Sequence, residues 1–164
     1  MRFKTLWAVV SLFALAVTAS AQTKISGTEV CGKPDQQQML EVGDHLGHML
    51  GVQQVKCTWS KMEIEGSAAK DSLTTIVVDA HGSKANIRGY DNATLASGDK
   101  AFVRFQGAVT LKDGAVIADD GMWSFTGGTG KLKGLKGEGT YKGKGTPEGG
   151  ETFEVEGEYT LPGK

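Results

Sequence analysis

Glu41, Asp44, His45 and His48 fall in one short run, with the two imidazoles three positions apart, and His81 is the remaining histidine of the chain. Side chains of these types bind zinc when three converge and a further layer of groups holds them in place. Gly43 and Gly47 interrupt the run, so a solvated loop is the stronger expectation and no metal is assigned. A second run, WSFTGGTGKLKGLKGEGTYKGKG from Trp123 to Gly145, offers the glycine-lysine chemistry of a phosphate cradle. A nucleotide loop of the form G-x-x-x-x-G-K-[ST] needs a hydroxyl after the lysine to hold magnesium. Here Leu132 follows Gly130-Lys131 and Phe125 occupies the place of the first glycine, so both ends of the motif fail. The dinucleotide pattern fails too, because Gly134 comes one residue too late after Gly128 and Gly130. No histidine sits in a nucleophile-elbow context, so no catalytic residue is assigned and no cofactor is implied.

Aromatic residues give the more useful signal. Trp59, Tyr90, Phe105, Trp123 and Tyr141 lie in separate extended segments. If their faces agree they line one pocket, in which Arg104 or Arg88 orients a polar group of a ligand. Filling a packed interior is the competing use of the same rings.

The elements that must carry these residues read as strands. From Lys136 to Lys144, Lys136, Glu138, Thr140, Lys142 and Lys144 alternate with Gly137, Gly139, Tyr141 and Gly143, a charged face backed by glycine and one ring. Glycine on an inner strand face permits sharp coiling and close approach of a neighbour. Glu151 to Leu161 alternates Phe153, Val155, Gly157, Tyr159 and Leu161 with polar residues, and Thr146 to Gly150 supplies a turn, so the two segments form a hairpin. Folding there sets Lys142 near Glu154 and Tyr141 near Val155.

Upstream, Thr23 to Cys31, Val55 to Trp59, Leu73 to His81, Ala85 to Thr94, Ala101 to Leu111 and Val116 to Phe125 also read as strands. Gln36 to His48 is ambiguous, and Gly128 to Leu132 has room for one short helical turn. About eight strands at regular turn spacing predict an all-β protein, a closed antiparallel meander barrel, with a two-sheet sandwich as the rival.

The ends and totals bound the rest. Residues 1–21, MRFKTLWAVVSLFALAVTASA, carry a basic start, a short apolar run and Ala19-Ser20-Ala21. That is the pattern of a secretory signal peptide cleaved before Gln22, with residues 22–164 as one domain that is secreted or periplasmic. Without Arg2 and Lys4, the remaining basic residues are outnumbered by 19 acidic ones. Nothing in that balance suggests a nucleic acid or anionic membrane partner. Cys31 and Cys57 both follow the leader, and an oxidising compartment predicts a disulfide between them.

The run Phe125 to Gly134, leading into Gly137, Gly139, Thr140 and Tyr141, resembles the glycine signature in the last third of allene oxide cyclase-like and dirigent-like barrel proteins. Lys56-Cys57-Thr58-Trp59 and Trp123-Ser124-Phe125 are similar to small exported bacterial proteins of that barrel type. The resemblance implies an eight-stranded barrel, often a homo-trimer, whose lumen takes an apolar or phenolic small molecule. It implies as alternatives an isomerase or coupling enzyme and a structural module that forms oligomers, and it carries over no catalytic residue.

Overall fold

The computed structural model describes residues 22–162, so the leader expected at residues 1–21 lies outside the described residues. The chain runs β1 (Thr23–Cys31), β2 (Gln36–Glu41), β3 (His48–Ser60), β4 (Glu63–Ile64), β5 (Ser67–His81), β6 (Lys84–Leu95), β7 (Lys100–Lys112), β8 (Ala115–Gly128), a 3-10 turn (Gly130–Leu132), β9 (Lys136–Gly145) and β10 (Glu151–Thr160). All pairings are antiparallel. The strands follow the order β3-β1-β10-β9-β8-β7-β6-β5, and the β3–β5 pairing joins the two ends. The closed wall therefore holds eight strands, and the meander barrel, not the sandwich, is the architecture.

Two elements stand outside that count. β4 forms a small hairpin with the start of β5. β2 continues the line of β1 along β3, since Cys31 pairs with Cys57 and, after a short break, Gln36 pairs with Gln54. The ambiguous segment from Gln36 to His48 is thus a hairpin arm. A disulfide joins Cys31 to Cys57 directly across the β1–β3 register.

One barrel end is filled. Ile64, Leu132 and Leu135 are each 1% exposed, and Leu95, Ala101, Tyr159 and Leu161 are buried with them. The segment after β8 supplies this floor: Gly128 lets Leu132 pack against the β8 backbone, and the 3-10 turn then brings Leu135 under the strands. The lysines of the same segment are exposed, as the alternation predicts. The opposite end, where β1 ends and the β7–β8 and β9–β10 turns lie, is a mouth edged by Gly32, Pro34, Gln37, Gly114 and Gly149.

Candidate ligand site in the barrel interior

Between floor and mouth lies a cavity of about 510 Å³, within the range of small-molecule sites. A groove of about 740 Å³ also runs along the glycine-lysine segment at the floor end, but it is a surface feature open to solvent.

The cavity is built by parity. On β7, Ala101, Val103, Phe105 and Val109 face inward, as the alternation indicates. On β6 the inward residues are Ala85, Ile87, Asp91 and Ala93. Trp59, Phe105, Trp123 and Tyr141 all line the cavity together with Phe153. Each ring except Trp59 lies over a glycine of a nearby strand: Phe105 over Gly89, Tyr141 over Gly107 and Gly121, Phe153 over Gly143, and Trp123 over Gly139 and Gly157. The missing side chains make room for the rings, and the space that remains sets the lumen.

Tyr90 and Arg104, expected in the pocket, are on the outer wall, as is Arg88. Tyr90 is 60% exposed. On β6 the inner face is mostly Ala, Gly and Asp, so its one ring sits on the side that apolarity alone would not choose, while Arg104 on β7 lies between inward-facing Val103 and Phe105 and therefore points out. Among the described residues no Lys, Arg or His lines the cavity.

Carboxyl groups stand there instead. Glu29 pairs in register with Trp59 across β1 and β3. Its Oε1 accepts a hydrogen bond from Ser72 Oγ at 2.6 Å. Asp91 is 5% exposed, and its Oδ1 accepts from Thr74 Oγ1 at 2.7 Å. Burial raises both carboxyls. Glu29, which also feels the charge of Asp91, rises further, to about 8, although Ser72 opposes the shift.

On the other wall, Asp119 on β8 and Glu151 on β10 flank β9. Burial and the nearby Glu151 push Asp119 up to about 7. Burial likewise raises Glu151, and it raises the Tyr141 hydroxyl, helped by the charge of Asp119. None of these four acids was recognisable as a site residue from composition or motif.

Trp59 Nε1 is a buried donor without a hydrogen-bond partner, whereas Asp119 bonds with Tyr141 and Glu151, and Asp91 with Thr74 and Ser72. Trp59, Asp91, Asp119, Tyr141 and Glu151 all line this one cavity. Buried polar atoms are nearly always paired, so an apolar space that holds an unspent indole N–H and several carboxyl groups suits a ligand with a polar group. The two indoles differ. Trp123 Nε1 donates to Thr140 O and Glu156 O, each at 3.2 Å, and so anchors the wall. Trp59 is only partly buried and keeps its N–H unspent.

On the outer face, His45, His48 and His81 come together, so the segment expected as a solvated loop is folded onto the barrel. Among the described residues no helix is long and apolar enough to cross a membrane.

No family model matches the sequence. No curated protein matches it either. Among solved structures, the pterocarpan synthase dirigent protein aligns over 96% of this chain and 99% of its own, with a TM-score of 0.51 and 8% identity. At that identity the likeness concerns the fold alone: the two chains share a closed antiparallel barrel.

Proposed function

We propose that the protein binds a neutral small molecule, apolar or phenolic, inside the barrel. The observation that carries this reading is one apolar cavity in which an unpartnered buried indole N–H, Trp59 Nε1, faces the same space as the buried groups of Asp91, Asp119, Tyr141 and Glu151. A phenolic hydroxyl suits that set: its oxygen accepts from Trp59 Nε1 while its proton goes to a carboxylate oxygen. An anionic ligand has no counter-charge, because among the described residues no basic one lines the space. The structural neighbour is named for making pterocarpan. From it we take only the idea that such a barrel holds a small organic molecule.

Titration of neutral phenols into the purified protein, followed by tryptophan emission, tests the reading. The expected result is a saturable change, with binding weakened about two- to tenfold in Trp59→Phe, the usual worth of one hydrogen bond. Carboxylate analogues of the same phenols should bind less well. Absence of a saturable response across a broad panel of neutral phenolic and apolar compounds, with the fold intact, overturns it.

An isomerase or coupling activity is a second reading, favoured by the position of Glu29 beside Trp59. Glu29 and Asp91 are pushed to different degrees, and such a split supplies a protonated acid and an ionised base at neutral pH. Turnover that survives Glu29→Gln with an unchanged pH profile removes this reading and leaves binding alone.

A further inference from the structure

His48 opens β3 and His81 closes β5, where the two are register partners on the outer face. His45 is delivered by the loop between β2 and β3, which is pinned at several points. Val42 N donates to His48 O at 3.0 Å, Gly82 N donates to Gly47 O at 3.1 Å, and His45 N donates to Asp44 Oδ1 at 2.8 Å. Gly43 and Gly47 make this possible, with φ of 83° and 78°. The glycines that made the segment read as a loose loop are the residues that fold it back onto the barrel.

The three rings stack with centroids 4.1 to 5.4 Å apart. Their outer nitrogens meet carboxylates. His45 Nδ1 lies 3.1 Å from Asp44 Oδ1, and His81 Nε2 lies 3.0 Å from Asp79 Oδ1. One ligand atom from each of the three imidazoles falls within 4.8 Å of the others, and His45 Nε2 and His81 Nδ1 lie 3.3 Å apart. The latter distance is close to the edge of a tetrahedron with zinc-nitrogen bonds of about 2.0–2.1 Å.

We propose that His45, His48 and His81 form a binding site for a divalent transition-metal ion, of which zinc is the reference case. His48 completes it. Asp44 holds its Nδ1 at 2.6 Å, and its Nε2 at present contacts Asp79 Oδ1 at 3.1 Å. On binding, Nε2 turns from Asp79 to the ion, and Asp79 keeps its contact with His81. Asp44 and Asp79 thus act as the outer carboxylates that orient metal-bound imidazoles. Three nitrogen ligands select the zinc, copper and nickel class over magnesium or calcium. Because the side chains of His45 and His81 are 53% and 43% exposed, the fourth position is open and the ion exchanges with solvent. The other clustered set, Glu29, Cys31 and Cys57, offers no thiolate, since its cysteines are bonded to each other.

Isothermal titration of the untagged protein with Zn²⁺ tests the site, with Mg²⁺ as comparison and circular dichroism as a check of folding. The expected result is one Zn²⁺ per chain and no Mg²⁺ uptake. Affinity should fall at least about tenfold in His45→Ala and His81→Ala, and by about 10- to 100-fold in Asp79→Asn, which leaves all three ligands in place. Imidazole resonances of the three histidines should shift on Zn²⁺ addition and stay still with Mg²⁺. Failure to bind Zn²⁺ saturably, or uptake that survives His45→Ala and His81→Ala in folded protein, overturns the proposal.

Discussion

Glu29, Asp91 and Asp119 each hold a proton in the folded chain at a pH where the unfolded chain has lost it. Folded pKa values above the unfolded ones mean that stability is greatest in acid. It then declines as pH rises from the ordinary carboxylate range, near about 4, through the raised values, up to about 8 for Glu29. His48, raised by Asp44, loses stabilisation in the same direction. Asp44 itself, held down to about 2 chiefly by its bond to His48, acts oppositely, but only in stronger acid. The Asp119→Asn variant isolates one buried group. Urea melts at about pH 5 and about pH 8 should show a smaller loss between the two for this variant than for the wild type, and an equal loss contradicts the burial assigned to Asp119. These acids were within reach of the sequence, though not through any motif. Asp119 shares the parity of Trp123, Glu151 that of Phe153, and Glu29 that of Ile25 and Cys31. An acid on an otherwise apolar face marks an interior polar group, but only once the inward face is known. On β6, where Ala, Gly and Asp outnumber Ile on that face, apolarity does not reveal it, and Tyr90 points out; Arg104 on β7 is next to Phe105, and adjacent strand residues cannot both face inward.

Strands were the most legible part of the molecule. The alternation from Lys136 to Leu161 predicts the hairpin register, including Lys142 opposite Glu154 and Tyr141 opposite Val155. Its glycine face has a physical test. A Cβ on Gly139 would run into Glu156 O and lie 2.7 Å from the Trp123 ring and from Gly157 Cα. Gly139→Val should cost about 1–3 kcal/mol or more by overpacking, whereas exposed Lys142→Ala should change stability by less than about 0.5 kcal/mol. Similar urea midpoints for the two variants contradict the inward parity. Less legible was the β2–β3 arm. Its residues carry no clear period, and its shape comes from two glycines with positive φ and from register with β5, a partner distant in sequence.

At the scale of the whole molecule, closure rests on the seam where β1 meets β3 over only the four pairs from Thr28–Ser60 to Cys31–Cys57. The disulfide sits at the end of that short ladder. Reducing it should lower stability by about 3 kcal/mol on the chain-entropy account, measured by urea unfolding with and without reductant. The intact mass of exported protein should correspond to a chain beginning at Gln22 with no alkylatable thiol, and retained residues 1–21 or two free thiols contradict that processing. The seam also lies beside the mouth, and the far end of the barrel is stopped by Leu132, Leu135 and Leu161. The barrel is thus a cup and not a pipe. Two occupants cannot pass within it, so whatever leaves must go by the way the next arrival comes. If the lumen performs a reaction, a product slow to depart blocks its own precursor, and traffic through a single doorway, not chemistry on the wall, sets the pace.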